Sequence, residues 1–169
     1  MVRVVLGGTF ESLHAGHSEL IKEAFRILEE DGSNSDSNLV HIGLTSDEMA
    51  GSKSHTVSDY ISRERELNHF ISSLLKNADF TGLSEDNYLI TKLEDPFGPA
   101  VSDDFDVIVV SPETRAGADK INEIRRSNNL PELQIREVDF VLAEDTIPIS
   151  TSRIYKGEID RNGNLQKKK

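Results

Sequence analysis

Apolar positions along the chain follow two alternating rhythms. Val2-Arg3-Val4-Val5-Leu6 is a β-branched run ending in Gly7-Gly8, and it predicts a buried strand feeding a tight turn. From His17 to Glu30 the period lengthens. Leu20, Ile21, Ala24, Phe25 and Leu28 share one helical face, while Lys22, Glu23, Arg26 and Glu29 lie outside it. Asp31 to Asn38 is a polar loop of turn formers. Leu39 to Leu44 is a second strand, polar chain follows to Ser58, and Asp59 to Asn77 is a helix with Ile61, Leu67, Phe70, Ile71, Leu74 and Leu75 on its apolar face. Tyr88 to Leu93, Phe105 to Val110 and Leu133 to Leu142 read as three further strands. Ser111 as N-cap and Pro112 at the first helical position open a helix to about Asn128. A short helix from Ser150 to Gly157 precedes a polar stretch without apolar pattern.

Strands alternating with helices imply an α/β fold: a Rossmann-like, open, parallel five-stranded sheet with helices on both faces. One domain is expected over residues 1–160, with a polar tail, 161–169, that frays. Ligands of such sheets bind beyond the carboxyl ends of the strands, where strand order reverses. The residues just after each strand are therefore the ones to examine.

Composition narrows the chemistry. The 169 residues carry 30 acidic and 19 basic side chains, a formal charge of −11, which repels nucleic acid and anionic membrane surfaces. An anionic ligand must then enter a local pocket. Without Cys there is no disulfide, thiolate nucleophile or Cys-based zinc site. A strand beginning at Val2 and the absence of any apolar run near ~18 residues point to a cytoplasmic protein without leader or membrane span. Oligomeric state is not readable from the pattern.

The first strand runs into Gly7-Gly8-Thr9-Phe10-Glu11-Ser12-Leu13-His14-Ala15-Gly16-His17. The glycines let backbone approach a ligand, and Thr9 offers a hydroxyl to the same space. His14 and His17 share one side of a helix's first turn, and Gly16 between them leaves room for a flat base. The helix N-terminus adds unpaired N–H groups and a field that favours phosphate. Together these parts make a nucleotide-phosphate site. Two histidines could also begin a metal site, but no nearby third ligand is evident, so no protein metal ligand is assigned.

Gly8-Thr9-Phe10 with His14-Ala15-Gly16-His17 resembles the T/HxGH signature of the nucleotidyltransferase superfamily. Ile42 to Met49, Val110 to Thr114 with Ala118 to Asn122, and Ile149 to Ile154 with Gly157 to Asp160 are similar to archaeal-type phosphopantetheine adenylyltransferase. That resemblance implies transfer of AMP from ATP, with Mg2+, to 4′-phosphopantetheine, giving dephospho-coenzyme A and pyrophosphate. It implies that His17 donates to the α-phosphate, with His14 beside the phosphate chain and Gly16 at the nucleotide. Thr9 and the Phe10 backbone would hold the attacking phosphate, and Lys53 would clamp it. Arg115 is a candidate for the β- and γ-phosphates. Ser111 and Thr114 stay open between helix capping and ATP contact. Ser150, Thr151 and Ser152 form a second phosphate cradle opposite the HxGH turn, although Ser150 alone would pass for an N-cap.

Three features depart from the pattern: Glu11 stands where the superfamily commonly has Asp, Thr151-Ser152 inverts the usual Ser-Thr order while keeping both hydroxyls, and Tyr155 stands where a basic residue is expected, with Arg153 or Lys156 as replacements. Arg63 to Glu66 and Arg125-Arg126 read as solvated helix faces, with i,i+4 pairs worth ~0.3 kcal/mol each. The rival readings are another acceptor (FMN, nicotinamide mononucleotide or a cytidylyl acceptor) and a nucleotide sensor without turnover.

Overall fold

A computed structural model describes residues 1–31, 37–51, 57–77, 80 and 82–166. Five strands, β1 (Arg3–Gly8), β2 (Leu39–Thr45), β3 (Tyr88–Leu93), β4 (Val107–Val110) and β5 (Gln134–Glu137), form one sheet in the order β3-β2-β1-β4-β5. Every pairing is parallel, as the alternation of strands and helices requires. The helices are α1 (Ala15–Asp31), a single turn α2 (Asp47–Ala50), α3 (Tyr60–Asn77), α4 (Arg115–Ser127) and a short α5 (Thr151–Tyr155).

Strand alternation divides the core between two faces. Val4 and Leu6 of β1, with Val107 and Val109 of β4, pack against Ile21, Phe25 and Leu28 of α1 and Leu67 and Ile71 of α3. Val5, Ile108 and Val110 point the other way and meet Ala118 and Ile121 of α4 and Phe105. A third small cluster, Ala143, Ile149 and Ile159, gathers the C-terminal segment near Ala15. Among the described residues no helix is long and apolar enough to cross a membrane.

Several elements differ from the sequence reading. Ser111 and Pro112 do not open α4. The Thr114 amide donates to Ser111 O at 3.0 Å, so Ser111 to Thr114 is a turn, and the helix begins at Arg115 with Thr114 in the cap position. Proline's fixed φ suits the second position of such a turn as well as a helix start. β5 ends at Glu137 rather than Leu142, because its partner β4 ends at Val110 and no backbone remains to pair with. From Arg161 to Gln166 the chain makes backbone contacts with the rest of the fold. Ile159 and Leu165 form an antiparallel bridge, Glu144 N donates to Gly163 O, and Ala15 N donates to Arg161 O.

Two arginines expected on solvated faces are buried. Arg63 and Arg125 are 1% and 2% exposed. Arg125 donates to the carbonyls of Pro131, Ala100 and Asp103 at 2.7 to 2.9 Å, tying α4 to two loops. The aliphatic stem packs and the planar fork satisfies carbonyls that chain reversal has left unpaired.

Candidate active site

The order of strands reverses between β1 and β4, and there the carboxyl ends open a cavity of about 370 Å3. It gathers Thr9, Phe10, His14, Gly16 and His17 from the turn after β1. Ser111 and Thr114 after β4, and Ser150, Thr151 and Ser152 at the start of α5, line its other walls. A larger hollow of about 850 Å3 between α1 and α3 meets it only at His14 and Val141. That hollow holds neither Thr9, His17 nor the hydroxyls of α5, so it is the smaller cavity that brings the candidate residues together.

The HxGH turn is a helix cap built from imidazoles. Gly16 N donates to Nδ1 of His14 at 3.0 Å, and His14 N donates to Nδ1 of His17 at 3.2 Å. These are the reciprocal bonds of a capping box, with histidine replacing the usual Ser/Thr and Glu/Gln. Accepting at Nδ1 places the ring hydrogen of each neutral imidazole on Nε2, the edge left for the cavity. The rings lie 3.9 Å apart at 31°, and Phe10 packs on His17 at 5.4 Å. Burial lowers His14 to about 4. Burial, with His14 alongside, lowers His17 to about 3. Near neutral pH both are uncharged hydrogen-bond donors.

Two details revise the sequence reading. The amides of Ala15 and Gly16, expected to be open to phosphate, already have partners in Arg161 O and His14 Nδ1. Gly16 makes room for His14 rather than only for a base, since a Cβ there would stand 2.8 Å from His14 Cε1.

Backbone strain concentrates just before this cap. Phe10 and Ser12 have φ of 50° and 47°, conformations that cost a non-glycine residue ~1–3 kcal/mol each and persist only where neighbours enforce them. Buried Arg63 donates to Thr9 O at 3.2 Å, and Thr151 Oγ1 donates to Glu11 O at 3.0 Å. The Glu11 carboxylate accepts from Ser58 N and Oγ at 2.9 and 3.0 Å, and from the Tyr155 hydroxyl. Glu11 and Tyr155, both departures from the expected pattern, are thus partners, a longer carboxylate reaching a phenol.

Other candidates are placed differently. Arg115 lies outside the cavity, half-exposed and paired with Asp119 at 3.4 Å and Glu137 at 3.9 Å. Lys53 falls outside the described residues. Ser111 and Thr114 line the cavity, but Ser111 N donates to Thr114 Oγ1 at 3.0 Å, so part of their capacity goes to their own turn. Arg153 is engaged by Asp145 and Glu158 and donates to Ile147 O and Pro148 O, bracing the loop before α5. Ser150 caps α5, accepting from Arg153 N at 3.3 Å.

The sequence reading missed the wall formed by Val138, Asp139, Phe140 and Val141, which became available when β5 stopped early. It also missed a second cavity of about 320 Å3, sharing Gly7, Gly8, Glu113 and Thr114 with the first. Met49, Leu93, Phe97 and Ala100 give it an apolar lining. His41 also lines it, and its Nδ1 is the one buried side-chain nitrogen or oxygen without a hydrogen-bond partner among the described residues. No group of three metal-binding side chains occurs among those residues.

A parallel sheet with a histidine turn at its switch point fits a nucleotidyl-transfer fold, and the chain belongs to the cytidylyltransferase-like family, whose model matches residues 5–157. Over 167 residues it is 50% identical to phosphopantetheine adenylyltransferase of Methanosarcina barkeri, covering 99% of this chain and 94% of that one. The enzyme of the same name from Methanothermobacter thermautotrophicus is 40% identical, over 98% and 90% of the two chains. A crystal structure of an Archaeoglobus fulgidus protein, described as of unknown function, is 33% identical with a TM-score of 0.65, covering 82% of this chain and 90% of that one. Within the family, the chain falls among the archaeal phosphopantetheine adenylyltransferases.

Proposed function

We propose that the protein transfers AMP from ATP to the phosphate of 4′-phosphopantetheine, releasing dephospho-coenzyme A and pyrophosphate. The observation that carries this reading is the imidazole cap, which holds two neutral Nε2–H donors at the wall of the phosphate cavity. An oxygen of the acceptor phosphate forms a bond to the α-phosphorus as the α–β bridging bond breaks, and its electron pair leaves with pyrophosphate. A phosphate monoester is already ionised near neutral pH, so no general base is needed. Positioning and stabilisation of developing charge supply the acceleration.

In this reading His17 donates to the α-phosphate and His14 to the phosphate chain, with Ser150, Thr151 and Ser152 facing the departing phosphates. Thr9 holds the attacking phosphate, and Lys53 is assigned beside it by the sequence alone. The second cavity, apolar and continuous with the first at Gly7 and Gly8, suits the pantetheine arm. The arm's amides match the unpartnered Nδ1 of His41. ATP enters as its magnesium complex, the ion taking most ligands from phosphate oxygens and water, and it neutralises charge on the pyrophosphate.

The test is pyrophosphate release from ATP and magnesium with 4′-phosphopantetheine, beside FMN, nicotinamide mononucleotide and no acceptor. Release with phosphopantetheine alone is expected. Release with a different acceptor would overturn the substrate and keep the chemistry, and none with any acceptor would leave a nucleotide sensor.

A further inference from the structure

Arg63 sits beneath the attacking side of the site with every nitrogen engaged. Its Nε donates to Ser58 O at 2.8 Å, its Nη2 to Asp47 Oδ1 at 3.2 Å, and its Nη1 to both Thr9 O and Thr45 Oγ1 at 3.2 Å. A guanidinium has hydrogens to give and no lone pair to receive with. Thr45 Oγ1 therefore accepts from Arg63, and its single hydrogen goes on to Thr9 Oγ1 at 3.0 Å. Thr9 Oγ1 in turn accepts from Thr45, which leaves its own hydrogen free. Thr9 lines the phosphate cavity.

We propose that Arg63 is a positioning residue that sets the direction of a hydrogen-bond relay, Arg63 to Thr45 to Thr9, so that Thr9 presents a hydrogen, not a lone pair, to the acceptor phosphate. Without a donor behind it, the Thr9 hydroxyl can turn inward and face the phosphate with its oxygen, a repulsive contact. Each donor in such a chain also polarises the next, strengthening the last bond to an anion. Asp47, the carboxylate paired with Arg63, is 57% exposed and bonded to Nη2 on the far branch of the fork, so solvent weakens its opposition to the field at Thr9. The relay rests on the adenylyltransferase reading only for the identity of the phosphate-bearing acceptor.

Thr45→Val removes the relay hydroxyl at nearly constant volume and keeps the buried charge. Thr45→Ser restores the hydroxyl. Relative to the unmodified protein, Thr45→Val is expected to raise the KM for phosphopantetheine about tenfold, the order of one charge-assisted hydrogen bond, with the KM for ATP unchanged. Thr45→Ser should return it to within about twofold, and Thr45→Val added to Thr9→Val should cost nothing further. Calorimetric titration with inorganic phosphate should show the same loss and rescue without turnover. Arg63→Lys, which lacks the fork, should raise the same KM, and where it fails to fold the Thr45 series decides.

Equal behaviour of the valine and serine variants, additivity with Thr9→Val, or a parallel rise in the KM for ATP would overturn the relay. If the unmodified protein turns over a different phosphate acceptor, the function reading falls and the relay is judged on that acceptor's KM. If it binds neither phosphopantetheine nor inorganic phosphate, both fall.

Discussion

At the scale of single residues, His14 and His17 join folding and chemistry in one pair of rings. Each Nδ1 closes the helix cap, so protonation there breaks the cap as it adds charge to a buried site. The 15N spectra of both rings should show the neutral Nε2–H tautomer from pH 5 to 8; a ring titrating near 6.5 would contradict the cap. The folded values of about 4 and about 3 lie below the unfolded value near 6.5, so between them the unfolded chain binds more protons. Stability from these groups is full above pH 6.5 and is lost as pH falls through about 4 for His14 and about 3 for His17, which thermal melts of the protein and of His14→Asn at several pH values would measure. Gly16→Ala should drive the His14 ring from its place and lower kcat by ten- to a hundredfold, read by steady-state kinetics. The turn itself was legible because its residues are consecutive and carry a known signature. Arg63, Thr45 and the Glu11–Tyr155 contact were not, because their partners are brought together only by the fold.

At the scale of elements, local pattern and tertiary pairing contributed separately. The central strands β1, β2 and β4 could be read from apolar, β-branched runs, since a strand buried on both faces needs apolar residues throughout, while the edge strands β3 and β5 carry exposed polar residues and show a weaker pattern. Where β5 stops could not be read, because it ends for want of a partner and not for any property of its own residues. Likewise Pro112 satisfies a helix start and a turn equally, and the bond from Thr114 to Ser111 decides between them. Arg125 looked like one of a solvated pair, yet it fastens α4 to the loops before β4 and β5. Arg125→Ala strips donors from three buried or part-buried carbonyls and should lower unfolding stability by about 3 kcal/mol, measured by urea denaturation. Arg126→Ala, next to it and exposed, should change it by less than ~0.5 kcal/mol.

At the scale of the whole molecule, charge and closure matter. A net −11 repels ATP and phosphopantetheine alike, so kcat/KM should rise between 10 and 150 mM salt at fixed magnesium as the repulsion is screened; a fall would mean that local attraction governs encounter. Chelating divalent metal should stop turnover and leave the melting temperature unchanged, since no cluster of metal-binding side chains was found among the described residues. The C-terminal segment completes the site from a distance. The amide of Ala15, the first residue of α1, is held by the carbonyl of Arg161. On the ribosome, then, the histidine turn is made first and waits through some 145 residues for the group that closes it. A chain stalled before that point carries the signature intact but lacks the contact that closes the first turn of its helix.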